Sequence, residues 1–304
     1  MDCAAVTSFR GFLSYGAGDA FSACVFNSAF ITCVWWGLLT LNSIVNCRTV
    51  WHLFGRDKTH DSTESPKLKN CAFVYIAACS LRTIWPRRDG QRTCFWDSWL
   101  SYPLIGRVAA TAAEICFAYQ LVLCLSSLAK QLKCRRVKAA LKVVVPAIAI
   151  AQCSCWMSVS TRNQWFHVFE ESIWLLVMQL CGTCALVLAL QIKDKEPSSV
   201  AGRARLSLLA GFGVSVVFTV FLWTSDIPMY VSRALEDEGN AVKYLGVLDG
   251  LADMASCHTV DKHFDVWRQE MPWRTGYFVG ATSLSLQLTQ VPVLREADAN
   301  RKQQ

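Results

Sequence analysis

The sequence predicts an all-α integral membrane protein, a bundle of about seven transmembrane helices with its N-terminus outside and its C-terminus in the cytoplasm. Three observations carry this reading. Apolar residues make up 53% of the chain, with 12 Trp and a positive mean hydropathy, more than a soluble domain of this size needs. They run in continuous stretches rather than with the 3.6-residue period of a half-buried surface helix. Lys and Arg gather in alternate connections between those stretches.

The expected spans are 20–45, 70–86, 103–128, 139–160, 165–192, 205–226 and 273–292. A hydrocarbon core of about 30 Å takes about 20 helical residues, so six are long enough. The second is short and carries Arg82 near its end, placed to snorkel toward the headgroups. Residues 1–19 read as an N-terminal tail. They lack a basic start, an apolar core and a small-residue cleavage site, and their one Arg (Arg10) and two Asp (Asp2, Asp19) do not suit a transit peptide. Residues 293–304 read as a cytoplasmic tail.

The segments after spans one, three and five hold five, six and four Lys and Arg, and the last tail holds three, so 18 lie on one side and nine on the other. The richer side is cytoplasmic by the positive-inside rule. The net charge of +7 is thereby read as topological retention and calls for no nucleic acid. The chain is expected in a membrane of the secretory pathway or at the plasma membrane. Its partner is the bilayer, with anionic lipid attracted to the basic run 130–138 (KQLKCRRVK) at about 1 kcal/mol per basic residue. Cys134 within that run is a place for palmitoylation.

The third span opens at Pro103 and carries Arg107, Thr111 and Glu114. Spacings of four and three put them on one stripe, with Glu114 about 16 Å below Pro103. The fifth presents His167, Glu170, Glu171 and Trp174. The sixth ends with Trp223, Asp226, Pro228 and Tyr230, and the seventh starts near Trp273. All of these ends fall on the outer side, with Asp97 and two further Trp in the loop 86–102. Charged groups from four helices with aromatic walls make the default pattern of a binding site. A buried Arg107 requires an acidic partner, expected from span five or six as Glu170, Glu171 or Asp226. Trp belts at membrane interfaces and structural ion pairing explain part of the same pattern.

The long outer loop 227–272 contains 241–256, where Val242, Leu245, Leu248, Leu251 and Ala255 recur at helical spacing. That suits an amphipathic surface helix, as loop packing or as a lid. Residues 257–265 hold metal-ligand residue types (Cys257, His258, Asp261, His263, Asp265) without any zinc-motif spacing, so no metal is expected. Of the 15 Cys, most lie in spans, where a thiol packs as a small apolar group. Cys181-Gly-Thr-Cys184 reads as helix packing rather than a redox pair. Cys94 and Cys257 both fall in outer loops, where an oxidising lumen permits a bridge.

Several classes are excluded. The last span has no Lys for a retinal Schiff base, and Asp/Glu-Arg-Tyr and Asn-Pro-x-x-Tyr triplets of G-protein-coupled receptors are missing, as are a Walker loop and Gly-x-Ser-x-Gly. The leading expectation is a membrane enzyme acting on a lipid or isoprenoid-like substrate. Glu114, Glu170, Glu171 and His167 would supply acid–base groups. Arg107 and Asp226 would hold polar parts of the substrate, and Trp174, Trp223, Tyr230 and Trp273 would line its apolar wall. A proton- or cation-coupled transporter and a receptor or structural subunit stand as alternatives. The sequence leaves any cofactor unknown.

Overall fold

The structure, a computed structural model, describes residues 29–56, 65–193, 196 and 199–289. The expected N-terminal tail, the start of the first span (20–28), residues 57–64 of the first basic connection and the tail from 290 onward lie outside the described residues.

About 81% of the described residues are helical. In order come α1 (Ala29–Arg56), α2 (Ser65–Ile84), α3 (Pro103–Gln131), α4 (Arg135–Ala140) and α5 (Val144–Thr161). Then follow α6 (Trp165–Gln191), α7 (Val200–Phe221), α8 (Ile227–Gly239), α9 (Val247–Asp253) and α10 (Phe264–Trp267). The last are α11 (Met271–Thr275) and α12 (Thr282–Leu288). A 3-10 turn fuses α4 to α5, and π-helical turns join α7 to α8 (Leu222–Asp226) and α11 to α12 (Gly276–Ala281).

Five helical stretches among the described residues are long and apolar enough to cross a bilayer: Phe30–His52, Pro103–Gln131, Arg135–Thr161, Trp165–Gln191 and Ala201–Gly239. The chain is therefore built as a multi-pass membrane protein. The two remaining expected stretches are helical but fall outside this set. α2 carries Lys67, Lys69 and Arg82 within its 20 residues, and the last stretch is divided by its π-turn. α1 and α7 leave Leu38, Leu41, Val217 and Val220 exposed on the protein's surface, as helices apolar all round do when lipid covers them.

The sixth stretch runs past its expected end at 226, through Pro228, to Gly239. A proline in a regular α-helix clashes with the carbonyl four residues back. Here the wide turn Leu222–Asp226 directly precedes it and relieves that clash. α3 begins with Pro103, whose missing N–H is no loss at a first turn. Ser199 caps α7, its hydroxyl accepting from the Gly202 amide at 2.8 Å.

α3 is the central helix, packed on α2, α5 and α6, while α6 also packs along α7 and α12 returns to α1, α2 and α3. Close approach of α6 and α7 depends on Gly182, where a Cβ would stand 2.3 Å from Ser215 Oγ. Cys181 and Cys184 flank it as buried free thiols, in keeping with small-residue packing.

One end of the bundle carries a stapled cap. Strand β1 (Arg87–Arg88) pairs antiparallel with β2 (Thr93–Cys94), which pairs parallel with β3 (Thr259–Val260). Cys94 and Cys257 form a disulfide, with Cα atoms 6.0 Å apart. Asp253, at the end of α9, gathers Arg92 (2.7 Å), Arg162 (2.8 Å) and His258 (2.9 Å). The cap thus joins the loop before α3, the turn after α5 and the segment after α9. The helix in this region covers 247–253 rather than 241–256, because Ala241 takes a left-handed φ of 49° that ends α8 and restarts the chain. It packs Leu251 and Met254 on Cys155 and Val159 of α5.

Burial acts to raise the Asp253 carboxyl, but the hydrogen bonds from Arg162 and Arg92 outweigh it and hold the group below the ordinary Asp range. A carboxyl lowered in the folded state contributes stability that is fully present above its unfolded value of about 3.9 and fades as pH falls through the folded value. Thermal melts should therefore be flat in this respect at neutral pH and drop below about pH 4. Asp253→Asn should lower the melting temperature at pH 7 and narrow its difference from wild type in acid. An equal gap at pH 7 and pH 3 would contradict this.

Candidate functional site

A cavity of about 790 Å³ lies between α2 and α3 on one side and α6, α7, the first π-turn and the C-terminal helical segment on the other. Arg107, Glu114, His167, Glu170, Glu171, Trp174, Asp226, Tyr230 and Trp273 all line it. Nine of the ten residues singled out from sequence therefore meet in one space. The tenth, Trp223, is 68% exposed and points away.

The reason lies in the turn that holds it. Trp223 and Asp226 are three apart, which shares a face on an α-helix. Both sit in the π-turn, whose wider winding separates them. Asp226 is buried against the cavity and Trp223 is turned outward.

Arg107 is buried, and its carboxylate partner is Glu114 on its own helix, at 3.2 Å from Nη2. The expected partner from span five or six is not used. Seven residues are close to two turns, about 10.5 Å, and the long arginine side chain reaches along that stripe. Gln152 of α5 closes the group. Arg107 Nη2 donates to Gln152 Oε1 at 3.1 Å, and Gln152 Nε2 donates to Glu114 Oε2 at 2.6 Å. Tyr277 Oη stands 3.5 Å from Glu114 Oε1. Both Glu114 oxygens are thus engaged. Thr111, on the same stripe, accepts from Trp156 Nε1 at 3.0 Å.

Opposite this group, His167 Nδ1 lies 2.8 Å from Glu170 Oε2, and the imidazole stacks on Tyr230 with ring centroids 4.6 Å apart. Glu171 and Asp226 face the same space, and neither carboxylate makes a hydrogen bond or ion pair with any described residue. At the rim, Glu270 bridges Arg88 (2.8 Å) and Arg274. Burial would raise the Glu270 carboxyl, but the charges of Arg274 and Arg88 hold it below the usual carboxylate range. Trp273 receives the Arg274 guanidinium 4.9 Å from its ring centroid.

Cys155, His167 and Glu170 present metal-ligand atoms mutually within 4.8 Å. Arg107 Nη1 already donates to Cys155 Sγ, and His167 is engaged with Glu170, so the three groups satisfy one another without an ion. The ligand-type residues at 257–265 do not converge. Cys257 is in the disulfide and His258 is on Asp253. No residue between 234 and 269 lines the cavity, so α9 packs on α5 and does not cover it.

Sequence reasoning missed Arg82, Tyr75, Gln152, Cys155 and Tyr277. Arg82 does not snorkel: it is 6% exposed and lines the cavity. Tyr75, Cys79 and Arg82, spaced four and three, form a stripe like that of α3, and this signal was available. A second cavity of about 460 Å³ continues toward Arg203, with Met178, Leu284 and Gln287 lining both.

No protein-family model, curated protein or solved structure matches the chain.

Proposed function

We propose that this multi-pass membrane protein is an enzyme that acts on a lipid or isoprenoid-like amphiphile inside the larger cavity. One observation carries the reading. A His167–Glu170 pair faces two carboxylates, Glu171 and Asp226, that are committed to no ion pair, at the head of a chamber with apolar walls. Proton-exchanging groups in a mostly apolar pocket are what acid–base chemistry on a hydrophobic substrate needs. In this reading His167, Glu170 and Glu171 exchange protons with the substrate. Glu114 holds Arg107 in place, and Trp174 and Trp273 flank the apolar part. The test is a comparison of lipid composition in cells lacking the protein, cells with wild type restored and cells with a cavity variant. Accumulation of one amphiphile class, reversed by wild type alone, is the expected result. Identical lipid profiles would overturn the reading.

A second reading, a proton-coupled transporter, is favoured by the two cavities meeting at Met178, Leu284 and Gln287. Proton-dependent flux in proteoliposomes without chemical change of the solute would select it.

We also propose the seven-span arrangement with the cap outside or lumenal. Support comes from the division of Lys and Arg, 18 against nine, and from the disulfide in the cap, a bond of oxidising compartments. The basic turn 130–138 would then meet anionic lipid on the cytoplasmic face. Single cysteines placed at 135 and 240, in a background keeping only Cys94 and Cys257, should differ in intact cells. An impermeant thiol reagent should label 240 and spare 135, and the opposite pattern would reverse the orientation.

A further inference from the structure

Among the described residues, the cavity-lining cation Arg82 has no hydrogen-bonded or ion-paired partner. Arg82 is 94% buried by its 6% exposure, and it lines the cavity wall. It makes no hydrogen bond and no ion pair with any described residue. Its contacts are the faces of Tyr277 and Phe278, 5.4 and 5.7 Å from the guanidinium carbon. Ring faces attract the charge but accept none of its five N–H donors in the plane. Buried charges in proteins are as a rule paired and hydrogen-bonded. The other buried arginines of the cavity obey this: Arg107 has Glu114 and Arg274 has Glu270, while Arg233, only half-buried, donates to Gln269. Two further donors in the same wall, Tyr75 Oη and Arg107 Nε, are also buried without partners.

Below Arg82 and Glu114 the cavity turns apolar. It runs between α7 and the C-terminal segment, past Phe218 and Leu284, to Met178. From His167 to Met178 is 11 residues of α6, about 16 Å, which is near half the hydrocarbon thickness of a bilayer. Val217, on this wall, is 71% exposed on the side where lipid would lie.

We infer that Arg82 is the anchor for the anionic head, a carboxylate or phosphate, of an amphiphile whose tail occupies the apolar chamber between α7 and α12. This rests on the reading of the cavity as a substrate site and names the substrate's class. No described residue accepts from this fork of donors at the head of a chamber of leaflet depth, and an anionic single-headed lipid supplies both the acceptor and the tail.

The test uses the purified full-length chain in neutral nanodiscs and four probes: oleate, lysophosphatidate, monoolein and inorganic phosphate. Oleate or lysophosphatidate should bind one per chain, about ten- to a hundredfold more tightly than neutral monoolein, the range for hydrogen bonds to a charged group. Arg82→Gln should remove that preference and leave monoolein unchanged, while Arg82→Lys keeps part of it. Because Arg82 pairs with no carboxylate, both variants should melt at or above the wild-type temperature, which separates lost binding from lost fold. Equal binding of oleate, lysophosphatidate and monoolein, or an unchanged preference in Arg82→Gln, overturns the inference. Inorganic phosphate competing as well as lysophosphatidate also overturns it, by removing the need for a tail. Anion-selective binding with no lipid turnover in cells would instead sink the enzymatic reading and leave the anchor standing.

Discussion

Glu114→Gln should yield a protein that is hard to recover and melts far below wild type. The substitution preserves shape and an amide, but it leaves the Arg107 guanidinium buried without its counter-charge beside Gln152 and Cys155. Removing one member of a buried pair destabilises by about 3–5 kcal/mol, whereas replacing both by apolar residues is often neutral. Arg107→Met combined with Glu114→Leu should therefore recover much of what either single change loses. Melting in detergent, followed by intrinsic fluorescence, measures each variant, and a double-mutant comparison isolates the pair. Normal yield and melting for Glu114→Gln would show that the buried pair does not carry the stability assigned to it.

Glu171→Gln should behave in the opposite way. Its carboxylate supports no other side chain among the described residues, so yield and melting should match wild type. If Glu171 passes a proton to or from the substrate, conversion of the amphiphile should fall by about two to four orders of magnitude, the usual range for a general acid or base. The assay is turnover of the lipid class that changes on loss of the protein. His167→Gln should also reduce turnover, since it removes the partner 2.8 Å from Glu170. Full turnover by Glu171→Gln would take that carboxylate out of the reaction and shift attention to Asp226 and Glu170.

The contrast between these two glutamates shows where the sequence is informative. Long apolar runs declare themselves because the bilayer demands continuity, so α3, α5 and α6 were placed within a few residues. The convergence of their polar ends also followed from spacing on single helices. Partners were not legible in the same way. Whether Arg107 reaches across to α6 or down its own helix depends on where Gln152 stands, and that is a property of the α3–α5 packing. The outward turn of Trp223 depends on a change of winding that no residue pattern announces in isolation, although Pro228 just beyond it is the physical occasion. Arg82 was misread because end-of-span arginines usually reach for water, whereas here the cap closes over that end of α2: Trp96 Nε1 donates to the Ile84 carbonyl at 3.1 Å, and Phe95 packs on Trp267.

The bond between Cys94 and Cys257 also sets a timetable. The two thiols stand 163 residues apart, and α3, α5, α6 and α7 emerge between them. At a synthesis rate of about 5–20 residues per second, Cys94 waits roughly 8–30 s for its partner. With the cap on the lumenal side, as proposed, it is during that interval a reduced thiol in a compartment that oxidises thiols, next to a short sheet that lacks its third strand. The cap can therefore be completed only after α3, α5, α6 and α7 have emerged, and α11 and α12, which supply the last wall of the cavity, follow it.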